Sequence, residues 1–323
     1  MSVYVEKKWI ETHNPVTGST PENLTVPSSE TIPAPTPEEE DEEEYEENNM
    51  FESMFSDPDP YITTLHSFDF PQQQQQQQQA SQTSSPKTPP PSMSSPTTIE
   101  IKLKGHKAEL GQTLHSTGLT LWRAAPLLCS YLLSSPETIS YIKGKFVLEL
   151  GAGLGLIGIL AACLRPKMLV VTDGDSDTLA GMRGNVELNR GLIGGFGRMG
   201  EGGENNIECA QLLWGENMEG FRDKFFGELG EGEERGFDTI LGSDIIYVEE
   251  IIQPLFKTVD FLLKKKTTKI AKENGGITPP PTFLLGYARR NVKIDLVFVE
   301  AERMGFSWSQ PDGPEGAFAF IRK

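Results

Sequence analysis

Apolar positions change character at Ile99: beyond it they recur with the periods of strands and helices, and ahead of it they do not. Ile99, Ile101 and Leu103 alternate with Glu100, Lys102 and Lys104, the period of a half-exposed strand. Leu127, Leu128, Tyr131 and Leu132 recur at helical spacing behind Pro126, a residue suited to a first helical turn because no N–H is needed there. Residues 146–150 form a short apolar run that enters a turn of alternating glycines and leaves with helical spacing, ending before Arg165-Pro166. That stretch predicts strand, glycine loop and helix. Residues 168–172 predict a second strand stopping on Asp173, and 176–189 a helix capped by Asp175 or Ser176. A third strand is expected at 207–213, ending at Trp214, and a fourth at 237–242, running into Ser243-Asp244-Ile245-Ile246-Tyr247. A helix at about 249–263, a fifth strand at 283–287, a helix at about 292–304 and closing strands at 306–308 and 317–321 complete the series.

Strands alternating with helical segments predict an α/β fold, a mostly parallel sheet covered by helices on both faces. The last two strands lack a helix between them and predict an antiparallel edge. The glycine-rich stretch 191–206 is expected to be a flexible insertion, and 264–281 a polar loop ending in prolines. Ligands of such sheets sit at the carboxyl ends of the strands, near the reversal of strand order. Asp173, Trp214, Asp244 and Tyr247 all fall at those ends.

Ahead of Ile99 only composition is informative. Pro-, Thr- and Ser-rich stretches flank an acidic run at 38–47 and a glutamine run at 72–79. Such a segment has too little apolar surface to offset chain entropy, so residues 1–98 are expected to be a disordered tail and 99–323 the folded domain. Two apolar patches interrupt the tail, Met50-Phe51-Glu52-Ser53-Met54-Phe55 and residues 61–70. They are either strips that pack on the domain or dock elsewhere, or stray aromatics in a loose chain. The tail holds 17 of the 46 acids and only Lys7, Lys8 and Lys87 as bases, hence −14 of the net −17. Residues 99–323 carry 29 acids against 26 bases, which argues against a nucleic-acid-binding face.

Cys129, Cys163 and Cys209 lie far apart in apolar surroundings without metal-ligand spacing, as reduced core thiols do. No metal site is expected, and the location expected is cytoplasmic, extending to the nucleus. No basic segment followed by an apolar run opens the chain, and 146–164, long enough to span a bilayer, contains Glu149 and four glycines. Neither a secretory signal nor a membrane association is expected. A monomer is expected.

The glycine loop suits two cofactor classes. Gly153-x-Gly155-x-x-Gly158, with Asp173 20 residues beyond Gly153, has the spacing of a dinucleotide fingerprint. Counted from Glu149 it is Glu-x-Gly-x-Gly-x-Gly, an acid on the strand ahead of the glycines. A carboxylate beside a pyrophosphate is repulsive, whereas a cofactor bearing ammonium and sulfonium charges has a use for it. Glu149 is the discriminating residue, unless it only caps the loop's own amides. All four histidines, His13, His66, His106 and His115, precede the loop, and no hydride-transfer set follows it.

With these residues in order, residues 99–323 resemble the seven-β-strand, class I S-adenosylmethionine-dependent methyltransferases, and among them methyltransferase family 16, the protein lysine methyltransferase-like group. Gly118, Trp122 and Ala124-Ala125 resemble the family's Gly-x-x-x-Trp-x-Ala-Ala segment, and 147–155 its Leu-Glu-Leu-Gly-Ala-Gly-x-Gly motif. Leu213-Trp214-Gly215 resembles its strand-end Trp-Gly, and 244–247 its Asp-x-x-Tyr signature. The resemblance implies a Rossmann-like seven-stranded fold, S-adenosyl-L-methionine as cofactor and a lysine of a protein substrate as acceptor. It implies that Glu149, Gly151, Gly153 and Gly155 hold the methionine moiety, Asp173 the ribose and Trp214 the adenine. Trp122 and Ser243 complete the cofactor pocket. Asp244 would orient the incoming amine, or cap the helix expected at 249, and Tyr247 would supply wall and hydroxyl. The long tail and the enlarged loops have no counterpart in the family core, and substrate selection is expected of such segments. Methylation of histidine, arginine or a small molecule, a cofactor-binding adaptor without catalysis, and an NAD-linked oxidoreductase are the alternative readings.

Overall fold

The structure is a computed structural model, and it describes residues 61–70, 98–106, 117–197, 207–227, 235–265, 279–288, 292–312 and 315–323. All of them belong to one compact unit, Asp59–Lys323. Two strands come first, β1 (Tyr61–Asp69) and β2 (Thr98–His106), followed by helices α1 (Ala124–Leu132) and α2 (Pro136–Ile139). Then come β3 (Phe146–Leu150), α3 (Leu156–Cys163), β4 (Met168–Asp173), α4 (Ser176–Leu188) and α5 (Arg190–Gly197). The chain continues through β5 (Ile207–Gln211), α6 (Met218–Phe226), β6 (Thr239–Ser243) and α7 (Ile252–Leu262). It closes with β7 (Thr282–Gly286), α8 (Ile294–Arg303), β8 (Phe306–Ser309) and β9 (Ala317–Arg322).

Seven strands form the central sheet in the order β5-β4-β3-β6-β7-β9-β8. The first five are mutually parallel; β9 lies antiparallel to both β7 and β8. Parallel strands covered on both faces need uninterrupted apolar runs, and the strict alternation of side chains then divides each run between two cores. Val147, Leu169, Val171, Leu241 and Leu284 enter one core with α1, α3 and α4. Their neighbours Leu148, Val170, Ile240, Phe283 and Leu285 enter the other with α6, α7 and α8. The α/β, Rossmann-like class is therefore as expected, with helices on both faces and an antiparallel C-terminal edge. Asp175 caps α4, as its position implied: its Oδ1 accepts the Thr178 N–H at 2.7 Å.

Four expectations need correction. The boundary placed at residues 98–99 cuts a hairpin, because β1 pairs antiparallel with β2 over its whole length, from Tyr61↔His106 to Asp69↔Thr98. Ile99, Ile101 and Leu103 on β2 are fully buried, and Phe68 and Phe70 pack against the same core. Residues 61–70 are thus a strip that packs on the domain, while the acidic run, the 50–55 patch and the glutamine run lie outside the described residues. Second, residues 191–197 of the expected flexible insertion belong to helix α5, with Ile193 buried in the first core. Third, the third strand ends at Gln211, and α6 follows it; its charged sequence buries only Phe221 and Phe226, too sparse a stripe to read as a helix. Fourth, β6 starts at Thr239; Phe237 forms an isolated parallel bridge to Leu263 instead.

Candidate active site

Strand β3 runs between β4 and β6, so the order of the sheet reverses between the carboxyl ends of β3 and β6. In such sheets this is where a ligand crevice forms, and both signature segments, the loop after Leu150 and the turn after Ser243, emerge there. The loop needs its glycines. Gly151, Gly153 and Gly155 all have positive φ, at 61°, 55° and 83°. A Cβ on Gly151 would lie 2.7 Å from Ile245 Cγ2, and one on Gly153 would lie 3.1 Å from the Gly118 carbonyl. Gly155 leads directly into α3, whose first-turn N–H groups have no helical partners and face this loop.

Glu149, on β3 just ahead of the glycine loop, is 2 % exposed, with Oε2 lacking a hydrogen-bond partner among the described residues. Burial pushes its carboxyl up to about 8; the Gly158 N–H draws it back somewhat, and the charge of Asp173 raises it further. The N–H that Glu149 meets belongs to Gly158 in the first turn of α3, not to the loop itself. One oxygen of a buried carboxylate nevertheless remains unmatched, a costly state that a cationic group would relieve. The main chain around it is tied down: the Thr172 hydroxyl donates to the Glu149 carbonyl at 2.7 Å, and the Ala152 N–H to the Thr172 carbonyl at 2.8 Å.

Asp173, at the end of β4, accepts the Gly153 N–H at 3.1 Å through Oδ2 and the Asp175 N–H at 3.1 Å through Oδ1. Burial raises its pKa against the pull of these N–H groups. Trp214 reaches the opposite side of the loop, its Cζ2 3.4 Å from where a Cβ on Gly151 would stand. Its turn is pinned by Gly215, left-handed at φ 80°, whose N–H donates to the Thr258 hydroxyl of α7 at 2.8 Å. Glu149, the three glycines, Asp173 and Trp214 are therefore brought together as expected.

The second set joins differently. Asp244 is 8 % exposed and left-handed at φ 55°, and its N–H extends the β6 ladder to the Gly286 carbonyl at 3.0 Å. Its Oδ2 accepts the Ala124 N–H at 2.6 Å, at the start of α1. The helix it caps is thus α1; the 3₁₀ turn Glu249–Ile251 has Val248 at its N-cap without a side-chain bond. Trp122 lies two residues ahead of α1 and donates its indole N–H to the Thr117 carbonyl at 2.8 Å. Ser243 stands beside Gly286, their Cβ positions 3.3 Å apart if Gly286 carried one. Tyr247 is half exposed, and its phenol pKa is raised by burial and by the charge of Asp173.

Three contributors were not singled out in the sequence. Ile245 packs beneath both Gly151 and Gly242. Leu213, half exposed, comes within 3.2 Å of a Cβ on Gly174, which puts an apolar wall next to Asp173. The Gly118 carbonyl backs Gly153. All three sit in motifs already quoted, but an apolar side chain or a main-chain carbonyl there carries no polar signal to mark it. His66 and His106, the described histidines, lie in the hairpin and not at a strand end of the large sheet.

The chemistry of this donor set fits S-adenosylmethionine. It offers a buried carboxylate with a free oxygen for a cation, a glycine loop that admits close approach, and a strand-end carboxylate for hydroxyls. Comparison with known proteins bears on the same choice. The model of the lysine methyltransferase family matches residues 106–274. The protein N-lysine methyltransferase METTL21A of Danio rerio is 32% identical over 168 residues, 51% of this chain and 66% of that protein. The protein N-terminal and lysine N-methyltransferase EFM7 of Cryptococcus neoformans var. neoformans serotype D (strain B-3501A) is 29% identical over 184 residues, 55% of each chain. The calmodulin-lysine N-methyltransferase of Arabidopsis thaliana is 28% identical over 155 residues, 47% of this chain and 43% of that one. The chain thus covers less than two thirds of each of these relatives.

Proposed function

The chain belongs to the lysine methyltransferase family, and from that premise we propose that it is an S-adenosylmethionine-dependent methyltransferase acting on a lysine side chain of a protein. The single observation that carries this reading is Glu149: a buried carboxylate with an unmatched oxygen, set beneath a glycine loop at the reversal of strand order.

When bound, S-adenosylmethionine supplies a sulfonium methyl group that a neutral amine can displace in line, a reaction governed by alignment and electrostatics. Glu149 and the main chain of Gly151, Gly153 and Gly155 would hold its charged amino-acid end. Asp173 would accept the ribose hydroxyls, and Trp214 with Leu213 would flank the adenine. Trp122 and Ser243 would line the pocket. The described rim carries apolar area around the opening, Tyr247 and Val248 both exposed. A lysine entering between such groups loses water, and desolvation favours the neutral amine that the reaction needs. Asp244 would hold the amine's hydrogen while its other oxygen keeps α1 in place, and Tyr247 would form the wall of the channel.

Incubating the protein with isotope-labelled S-adenosylmethionine and a proteome, then hydrolysing the labelled bands, tests the reading. Methyl-lysine is the expected product. Label confined to histidine, arginine or small molecules would move the assignment to another acceptor, and calorimetric binding of NAD without S-adenosylmethionine would overturn it.

A further inference from the structure

Strand β2 pairs with β1 along one edge, and its other edge carries main-chain groups that need partners. Helix α4 provides them from side chains. Asn185 in that helix and Asn189, its C-cap, stand one turn apart, both buried. The Lys104 N–H donates to Asn185 Oδ1 at 2.8 Å, and Asn185 Nδ2 donates back to the Lys104 carbonyl at 3.1 Å. The Lys102 N–H donates to Asn189 Oδ1 at 3.0 Å, and Asn189 Nδ2 donates back to the Lys102 carbonyl at 2.7 Å. Each carboxamide engages both main-chain groups of one strand residue, as a neighbouring strand would.

The two asparagines differ in their remaining N–H. Asn189 gives it to the Asn185 carbonyl of its own helix at 2.8 Å. Asn185 gives it to the carbonyl of Leu154 at 3.0 Å. Leu154 is the residue between Gly153 and Gly155, both left-handed, so its carbonyl direction reports the conformation of the loop. A second contact joins the same parts: a Cβ on Gly105 of β2 would fall 2.5 Å from Leu154 Cδ1 and 3.1 Å from the Leu119 carbonyl. The strand thus closes on the glycine loop and on the segment ahead of α1.

We propose that Asn185 is a positioning residue for the glycine loop, fixing the Leu154 carbonyl to β2 and α4, so that the N-terminal hairpin sets the cofactor affinity of the loop. The idea rests on the S-adenosylmethionine reading of that loop for its ligand, but not for the tie itself. Only an amide can serve there: it accepts one N–H and donates to two carbonyls, using both of its N–H groups. A carboxylate would face the Leu154 and Lys104 carbonyls with no hydrogen to give.

Asn189 supplies the matched control, because it makes the same strand bonds without touching the loop. We would titrate full-length wild type, Asn185→Asp and Asn189→Asp with S-adenosylhomocysteine by calorimetry, and record thermal unfolding and amide exchange of residues 152–155. Both variants are expected to melt lower than wild type. Only Asn185→Asp is expected to bind about tenfold or more weakly and to exchange faster at 152–155. Equal affinity in all three proteins, or an equal loss in both variants, would overturn the proposal. If wild type fails to bind, the cofactor reading falls, and unchanged exchange at 152–155 in Asn185→Asp would separately sink the tie. Should that variant not fold, Asn185→Ser and Asn189→Ser remove the same double donors without a charge and are judged by the same outcomes.

Discussion

The carboxylate of Asp244 accepts the N–H of Ala124 across 120 residues of sequence, at 2.6 Å. The residue assigned to the acceptor amine therefore also starts the helix that follows Trp122, and the two duties separate by substitution. Asp244→Asn keeps an oxygen for Ala124 but loses the charge. It is expected to unfold within a few degrees of wild type and to turn over about 100-fold more slowly or worse. Asp244→Ala should lose turnover and also about 1–2 kcal/mol of stability, the usual cost of a lost cap. Thermal unfolding alongside label transfer from S-adenosylmethionine checks both; an Asn variant as active as wild type would reduce Asp244 to a cap.

Glu149 predicts a pH dependence with a definite sign. Its carboxyl titrates at about 8 in the folded protein against an ordinary value of 4.5. Between those values the folded chain holds a proton that the unfolded chain has released. The contribution is fully present below 4.5, declines as pH rises at up to about 1.4 kcal/mol per unit, and is gone above 8. Denaturant unfolding of the ligand-free protein from pH 5.5 to 8.5 should show this decline, and Glu149→Gln should flatten it. A cation beside the carboxylate favours its ionised form. Binding of S-adenosylmethionine near pH 7 should then release close to one proton to the buffer, measurable by calorimetry in buffers of different ionisation heat. The Gln variant should release none and bind about tenfold or more weakly.

Asp173 holds Gly153 and also faces the position assigned to the ribose, so its loss acts twice. Asp173→Ala is expected to weaken S-adenosylmethionine binding by about 100-fold, from a charge-assisted pair of bonds and a loosened loop. Asp173→Asn retains one acceptor for Gly153 and should fall between the two. Calorimetric affinities that are identical for wild type and Asp173→Ala would remove this residue from the site.

Much of this arrangement is legible before any coordinates. Continuous apolar runs such as 168–172 announce doubly covered strands, and Asp173 and Asp244 stand out because a carboxylate ends an apolar run. Glu149 is legible for the same reason, a charge inside a strand that burial should exclude. What escapes a sequence reading is long-range complementarity. Helix α6 hides behind charges because only Phe221 and Phe226 turn inward. Nothing near Asp244 indicates that its helix is α1, and nothing near Ile245 says that it packs under Gly151. Strand β1 escapes for two reasons: its inward residues include Thr64 and His66, and its partner lies beyond the glutamine run.

That strand is open to a direct check. Along β1 the residues alternate between exposed and half-buried, with Leu65 outward and 56 % exposed, and Phe68 turned toward the core. A loose tail would treat the two alike. In the folded hairpin Phe68→Ala removes aromatic area packed on the first core, and because that side chain is only half buried the expected loss is about 1–2 kcal/mol, below the range of a fully buried phenylalanine. Leu65→Ala, on the solvent side, should stay within about 0.5 kcal/mol. Denaturant midpoints of the two variants and wild type decide the matter: three equal midpoints would return residues 61–69 to the tail, and a loss confined to Phe68→Ala would place them in the domain.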